Sequence, residues 1–169
     1  MKLLTRAAAC ALLMGAAGPS LAAETATATL QDPDRNDVGT VEFQETPHGV
    51  LLKIRIDGLP EGIHAFHIHE TGVCEPPFKS AGGHYNPAGV THGMLSEDGM
   101  HAGDLPNIHV ADGPLTLEVL AGEVTLAEAA ENTLFDEDGS AIVIHQGPDD
   151  YQTDPAGAAG ERIACGVIE

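Results

Sequence analysis

The fold class of this chain is decided by the stretch Val50-Leu51-Leu52-Lys53-Ile54-Arg55-Ile56-Asp57. From Leu52 onward, apolar and polar residues alternate strictly, so an extended backbone would carry an apolar face and a polar face. Turn-forming residues bound the stretch, with Pro47-His48-Gly49 before it and Gly58-Leu59-Pro60 after it. This pattern predicts a half-buried β-strand.

Similar runs occur along most of the chain and are separated by turns rich in glycine, proline and aspartate. Including the first, the predicted strands are 25–30, 38–45, 50–57, 64–69, 103–110, 115–120, 141–145 and 163–168. Together with 20 glycines and 11 prolines, this pattern predicts an all-β antiparallel sandwich or barrel of eight strands. Only residues 126–134 favour a helix, of one or two turns.

Two connections are longer than a plain β-protein needs, namely 70–102 and 146–162. Long loops in compact domains usually serve function, and both begin directly after a histidine that could bind a metal ion.

The charge balance restricts the partners of the chain. It has 7 basic and 26 acidic residues, for a formal net charge of −19. So acidic a protein repels nucleic acid and anionic membrane surfaces, and it attracts cations. We therefore expect neither a nucleic acid nor, once any leader is removed, a membrane as partner.

The N-terminus has the pattern of a secretory signal peptide. Lys2 and Arg6 precede an apolar stretch, 7–17, which is followed by small residues up to Ala23. We expect residues 1–22 to be removed and 23–169 to form one exported, periplasmic-type domain. A membrane anchor is disfavoured because the apolar stretch is too short to span a bilayer, and a lipoprotein is disfavoured because Cys10 precedes most of that stretch.

Two cysteines, Cys74 and Cys165, remain after that removal. Paired cysteines are the usual state in an oxidising compartment, which favours a disulfide. A metal thiolate is the alternative, although the abundance of histidine makes thiolate ligands unnecessary.

Histidines dominate the middle of the chain in the segments HAFHIHE (64–70), AGGHYNP (81–87) and MHAGDLPN (100–107). His67 and His69 stand two apart on a predicted strand, so both point to the same face and can hold one ion. His145, at the end of another strand, could add a further nitrogen. A half-buried structural histidine is the alternative for each of these residues taken alone.

A second set lies in the glycine-rich loop and consists of His84, His92, His101 and Asp104. Three imidazoles and one carboxylate make up a closed zinc site with no open position. A solvated polar loop is the alternative. Imidazole suits copper and zinc, so the whole constellation indicates more than one metal.

These segments, together with RIACGVI (162–168), resemble the signature segments of the copper/zinc superoxide dismutase family. The order and the spacings match over nearly the whole mature chain. The resemblance implies an eight-stranded antiparallel Greek-key β-barrel or sandwich with two long functional loops. It also implies copper and zinc as cofactors, and dismutation of the superoxide anion to dioxygen and hydrogen peroxide.

The resemblance also implies a role for each residue. The copper ligands would be His67, His69, His84 and His145, and the zinc ligands would be His84, His92, His101 and Asp104. His84 would bridge the two metals as an imidazolate and would carry a proton during the reaction.

Four further residues acquire roles from the same resemblance. Asp149 would link His67 to His92, although the neighbouring Asp150 could do so instead. Arg162 would dock the substrate anion beside copper, and a surface salt bridge is the alternative. Cys74 and Cys165 would form the family's disulfide.

The remaining histidines are not expected to bind metal. His64 would pack near the copper strand without ligating, and His48 and His109 would be surface residues. Ala65 stands where the family usually has glycine, which would be costly only if the backbone there were left-handed.

Two other functions compete with dismutation. A copper or zinc store or chaperone on the same fold would need neither a bridging histidine nor an anion-docking arginine. A zinc hydrolase is disfavoured because the set of three histidines and one aspartate leaves no place for a water molecule. The protein could be a monomer or a homodimer.

Overall fold

A computed structural model describes residues 24–169, so the predicted signal peptide, 1–22, lies outside the described residues. Within the described range the chain forms nine β-strands and one short 3-10 helix, Lys79–Ala81. The strands are β1 (Thr25–Gln31), β2 (Asp37–Thr46), β3 (Gly49–Ile56), β4 (Gly62–His64), β5 (Phe66–His69), β6 (Ile108–Val110), β7 (Leu115–Ala121), β8 (Ala141–His145) and β9 (Arg162–Val167). Between residues 24 and 169, no helix is long and apolar enough to cross a membrane.

Seven strands form one curled antiparallel sheet in the order β5-β8-β9-β1-β2-β3-β7, and β4 pairs with β6 beside it. Most apolar side chains of the strands meet in one core, where Val41 and Leu52 share a cluster with Ile68 and Ile144. A smaller second cluster packs Val143 of β8 against Phe78. The connection from β7 to β8 joins strands that are not neighbours in the sheet, which confirms the predicted all-β architecture with crossed connections.

The alternation that predicted β3 is present in the structure. Leu52, Ile54 and Ile56 are buried, whereas Lys53 is half-buried and Arg55 is exposed. The strand pairs with β2 on one side and with β7 on the other, so its polar face lies on the outside of the sheet.

Eight predicted runs appear as nine strands because the run 64–69 is interrupted at Ala65. The Ala65 N–H donates to Gly147 O (2.8 Å), and Ala65 O accepts from the His145 N–H (3.0 Å). At this residue the chain leaves β6 and begins to pair with β8. Ala65 is buried and its φ is not positive, so alanine introduces no left-handed strain there.

Two sequence predictions were wrong in detail. The predicted strand 103–110 begins only at Ile108. At its predicted start the chain makes a turn instead, in which the Asp104 N–H donates to His101 O (3.1 Å). The predicted helix 126–134 is a series of turns. The Leu126 N–H donates to Glu45 Oε2 (2.7 Å) and the Leu134 N–H donates to Thr125 O (2.9 Å). The Ala130 and Thr133 N–H groups make only turn bonds, to Ala127 O (3.0 Å) and Ala130 O (3.4 Å).

The two long connections are 70–107, between β5 and β6, and 146–161, between β8 and β9. A disulfide between Cys74 and Cys165 ties the first connection to β9. The two connections also meet directly, because the Leu95 N–H donates to Tyr151 O (3.1 Å) and the His92 N–H donates to Asp154 Oδ1 (2.9 Å). They cover the histidines at the ends of β5 and β8.

Candidate metal centre

Four histidines converge where β5 and β8 meet the first long connection. His67 and His69 lie on β5, His145 ends β8, and His84 comes from the connection. All four side chains are buried, and one potential ligand atom from each lies within 4.8 Å of those of the others. We call this set the four-histidine cluster.

Each ring of this cluster is held from one of its two nitrogens. The bonded pairs are His67 Nε2 with Asp149 Oδ2 (2.8 Å), His69 Nδ1 with Gly82 O (3.1 Å), His84 Nδ1 with Asp104 Oδ1 (2.7 Å) and His145 Nδ1 with Gly160 O (3.2 Å). Because every partner is an acceptor oxygen, the bonded nitrogen carries the hydrogen and donates it. The second nitrogen of each ring is left with a lone pair.

These second nitrogens have no hydrogen-bond partner among the described residues. They are His67 Nδ1, His69 Nε2, His84 Nε2 and His145 Nε2. A buried polar group without a partner costs about 1–3 kcal/mol, so four that face each other are unfavourable unless something accepts their lone pairs. The donor set therefore fits a metal ion that prefers imidazole nitrogen, such as copper.

Burial keeps His69, His84 and His145 neutral at pH 7. Desolvation lowers the pKa of His84 to about 4 and that of His145 to about 3, and it places the pKa of His69 well below its usual range. Neighbouring imidazoles lower these three pKa values further, because positive charges repel one another. A neutral imidazole is the form that binds metal.

The second cluster shares His84 and lies entirely in the connection 70–107. Its ligand atoms come from His84, His92, His101 and Asp104, all buried, and lie within 4.8 Å of one another. The Nδ1 atoms of the three histidines lie 2.7, 3.1 and 3.2 Å from the same oxygen, Asp104 Oδ1. We call this set the carboxylate cluster. Its composition and convergence fit a tetrahedral Zn²⁺ site.

Asp104 is fixed by its other oxygen. Asp104 Oδ2 accepts from the Gly93 N–H (2.9 Å) and from the His101 N–H (3.0 Å). Burial alone would raise the pKa of this carboxyl group, but the hydrogen bonds from His84 and Gly93 outweigh it and lower the pKa to about 2. The group is therefore a carboxylate, which can ligate a cation.

One buried carboxylate joins the two clusters. Asp149 Oδ2 accepts from His67 Nε2 (2.8 Å), and Asp149 Oδ1 lies 3.0 Å from His92 Nε2. Burial opposes ionisation, yet the hydrogen bonds from these histidines hold the pKa of Asp149 well below its usual range. The neighbouring Asp150 is exposed and instead accepts from Thr153, so it contacts neither histidine.

Arg162 is half-buried at the start of β9, near the four-histidine cluster. Its Nη1 donates to Phe78 O (2.6 Å) and its Nη2 donates to Gly82 O (2.6 Å), the same carbonyl that accepts from His69. The arginine lines an open surface cleft together with Pro33, Pro77, Lys79, Gly160 and Glu161.

The other histidines stand apart from both clusters. His64 directs Nδ1 to His145 O and Nε2 to Pro60 O, each at 2.9 Å, so neither nitrogen is available to a metal. His48 and His109 are exposed.

Sequence reasoning missed two residues that hold Asp149. Asn107 Nδ2 donates to Asp149 O (2.9 Å), and the Asp149 N–H donates to Asn107 Oδ1 (2.8 Å). Tyr151 donates its N–H to Asp149 Oδ1 (2.6 Å) and accepts the Asn107 N–H at its hydroxyl (2.8 Å). Only the proximity of Asn107 to Asp104 and of Tyr151 to Asp149 in the sequence could have suggested these roles.

Comparison with known proteins bears on both clusters. The family model described as copper/zinc superoxide dismutase (SODC) matches residues 38–168. The chain is 53% identical over 146 residues to the Cu-Zn superoxide dismutase 2 of Aquifex aeolicus (strain VF5), an alignment that covers 85% of each chain. It is 50% identical over 149 residues to the Cu-Zn superoxide dismutase of Caulobacter vibrioides, which covers 86% of each. A solved structure of a SOD-like protein from Bacillus subtilis superimposes with a TM-score of 0.81 at 39% identity, covering 85% of this chain and 97% of that chain.

Proposed function

The chain belongs to the copper/zinc superoxide dismutase family, and on that premise we propose which of its residues carry the reaction. The protein is a superoxide dismutase, an enzyme that converts superoxide to dioxygen and hydrogen peroxide with copper and zinc as cofactors. The substrate, superoxide, is a small anion.

We assign copper to the four-histidine cluster and zinc to the carboxylate cluster. Copper would be held by His67 Nδ1, His69 Nε2, His84 Nε2 and His145 Nε2, and zinc by His84 Nδ1, His92 Nδ1, His101 Nδ1 and Asp104 Oδ1. The observation that carries this assignment is the set of four buried, partnerless nitrogens. A harder oxygen ligand in the second cluster favours zinc there.

When bound, copper supplies a one-electron redox couple that accepts an electron from one superoxide and donates it to the next, whereas zinc has no redox chemistry. Two protons are needed for each hydrogen peroxide formed. We propose that His84 Nε2, once it no longer ligates copper, would take up one of these protons in one half of the cycle and release it in the other, and solvent would supply the second proton. His84 Nδ1, 2.7 Å from Asp104 Oδ1, stays on the zinc side and keeps the ring in place.

Arg162 would dock the substrate anion. A guanidinium is always charged and has five N–H donors, of which the carbonyls of Phe78 and Gly82 take one each. These two bonds hold the plane of the guanidinium, so an anion meets a preorganised donor. Arg162 also shares Gly82 O with His69, which couples the docking residue to a copper ligand.

Asp149 would act as a positioning residue for both metals. It contacts His67 on the copper side and His92 on the zinc side, and neither contact uses the nitrogen assigned to a metal. An outer carboxylate of this kind fixes the orientation of the ring and raises its basicity.

We also propose that residues 1–22 are a signal peptide and that 23–169 is the mature domain, exported to the periplasm. The disulfide between Cys74 and Cys165 supports an oxidising compartment. The net charge of −19 opposes nucleic acid or an anionic membrane as partner. A monomer or a homodimer would carry complete sites, since every proposed ligand comes from one chain.

Superoxide consumption by the mature, disulfide-bonded protein tests this function. The protein is loaded with copper and zinc, free copper is chelated, and a zinc-only preparation serves as the control. We expect rapid loss of superoxide that is absent from the zinc-only sample. No consumption with both metals bound in stoichiometric amounts would instead assign the protein to metal storage or delivery.

A further inference from the structure

The connection 122–140 between β7 and β8 supplies no ligand to either cluster. It forms a series of turns packed against the barrel, with Leu126, Thr133 and Leu134 buried. It contacts the first long connection through the Gly72 N–H, which donates to Asp138 O (2.8 Å), and through Tyr85, which directly follows the bridging candidate His84.

The backbone of Tyr85 sits at a junction between the two clusters. Its N–H donates to Ile68 O (2.9 Å), its carbonyl accepts from the Gly103 N–H (2.9 Å), and Gly103 O accepts from the Ile68 N–H (2.9 Å). Ile68 lies between two histidines of the four-histidine cluster, and Gly103 precedes the aspartate of the carboxylate cluster. A displacement of Tyr85 would therefore shift the backbone beside both clusters.

The side chain of Tyr85 is 4% exposed, and its hydroxyl donates to Thr133 O at 2.6 Å. Burial, and then the negative charge of Asp136, raise the pKa of this phenol. The hydroxyl is the donor in this bond, because a carbonyl oxygen can only accept.

The acceptor is itself tied to the barrel. The Leu134 N–H donates to Thr125 O (2.9 Å), and Thr125 Oγ1 donates to Glu45 Oε2 (3.1 Å). The same Glu45 oxygen accepts from the Leu126 N–H (2.7 Å). A chain of hydrogen bonds thus runs from Glu45 on β2, through the connection, to the phenol of Tyr85.

We propose that Tyr85 is a positioning residue for the bridging histidine and that the connection 122–140 serves to anchor its phenol. This inference rests on the proposed function, because it requires His84 to face two metals at once. His84 lies outside the named strands, and its backbone pairs with β5 only through an isolated β-bridge to His69. The backbone junction and the anchored phenol add to that constraint, so Nε2 and Nδ1 keep their directions toward the two clusters.

Tyr85→Phe tests the proposal because it keeps the ring and the backbone and removes only the hydroxyl. The control for a general loss of stability is Val41→Ala, a change at a fully buried residue of β2, a strand that supplies no ligand to either cluster. Two quantities are measured on each variant: the rate at which a chelator removes zinc from the copper-free, zinc-loaded protein, and the electron paramagnetic resonance spectrum of Cu(II) in the protein with both metals. Thermal unfolding of each variant is recorded alongside.

We expect Tyr85→Phe to release zinc about tenfold faster than the unmodified protein and to give a broadened Cu(II) spectrum. Val41→Ala should lower the unfolding temperature at least as much, yet leave both metal readouts unchanged. Should Tyr85→Phe fold poorly, Glu45→Ala loosens the anchor without altering Tyr85, and it should change both readouts in the same direction by a smaller factor.

Zinc release from Tyr85→Phe or Glu45→Ala that stays within twofold of the unmodified protein, or that equals the Val41→Ala control, would overturn the proposal and leave Tyr85 a core residue. The zinc measurement uses no copper, so it is separate from dismutation. An unmodified protein that holds zinc but consumes no superoxide would refute the proposed function while the Tyr85 comparison still stands.

Discussion

The two clusters share His84 but are built in opposite ways. In the four-histidine cluster, three ligands come from strands, and every ring is held by an acceptor outside the cluster while its ligand nitrogen has no partner among the described residues. In the carboxylate cluster, all four residues come from the connection 70–107, and the histidine nitrogens already contact the cluster's own aspartate. The strands of the barrel therefore position most of the proposed copper ligands. The proposed zinc ligands all lie in one loop, and a bound zinc ion would hold that loop together.

Removing a ligand of the four-histidine cluster should have the largest effect on activity. His145→Ala removes one of the four partnerless nitrogens, and we expect dismutation to fall by more than the roughly 100-fold that altering an outer residue of a metal site can cost. Zinc content should be unchanged, because His145 is not in the carboxylate cluster. His109→Ala, at an exposed histidine of β6, is the control and should keep full activity. Activity of His145→Ala within tenfold of the unmodified protein would contradict the copper assignment.

Breaking the loop side should release zinc and loosen the loop. Asp104→Asn removes the negative charge on which three histidines converge, so the zinc affinity should fall by more than about 100-fold. Amide exchange across 84–104 should rise, while β8 and β9 stay protected because they pair with each other within the sheet. Asp112→Asn, at an exposed turn residue, is the control. Equal protection of the loop in both variants would mean that zinc does not hold it.

Acid should destabilise the metal-free protein through His84 and His145. In the metal-free protein, burial lowers the pKa of His84 to about 4 and that of His145 to about 3, against 6.5 for an exposed imidazole. The unfolded chain binds these protons first, so the free energy of unfolding should fall as the pH drops from 6.5 toward 4. The depression at His84 alone corresponds to roughly 3 kcal/mol. Denaturant titrations at pH 7 and pH 4.5 measure this effect, and His145→Gln should reduce it. A free energy that is flat over that interval would contradict it.

The smallest expected effect concerns the link between the clusters. Asp149→Asn keeps the shape of the side chain but removes the charge that His67 and His92 share, and we expect a loss of roughly 10–100-fold in zinc affinity. Asp150→Asn is a matched control on the exposed neighbour and should leave the affinity unchanged. Equal effects of the two substitutions would leave open which aspartate links the clusters.

The sequence allowed prediction of those parts of the molecule that follow from local rules. Alternation located β3, the spacing of His67 and His69 placed both on one face of β5, and the even number of exported cysteines indicated the disulfide. The break at Ala65 could not be predicted, because it depends on pairing with distant segments at Gly147 and His145.

Other features escaped prediction for the same physical reason. The segment 126–134 favours a helix locally, but its Leu126 N–H bonds to Glu45 on another strand and its Leu134 N–H bonds to Thr125 O. The acceptors that hold His69 and Tyr85 are backbone carbonyls of Gly82 and Thr133. Because every residue has such a carbonyl, the residue type does not indicate which one is used. Residue types therefore indicated the candidate ligands, whereas the contacts that orient them required the structure.

Anomalous diffraction from crystals of the protein loaded with both metals, collected at the copper and zinc absorption edges, would locate each metal. We expect copper among His67 Nδ1, His69 Nε2, His84 Nε2 and His145 Nε2, and zinc among His84, His92, His101 and Asp104. Copper in the carboxylate cluster, or only one metal between the two sets, would contradict this assignment.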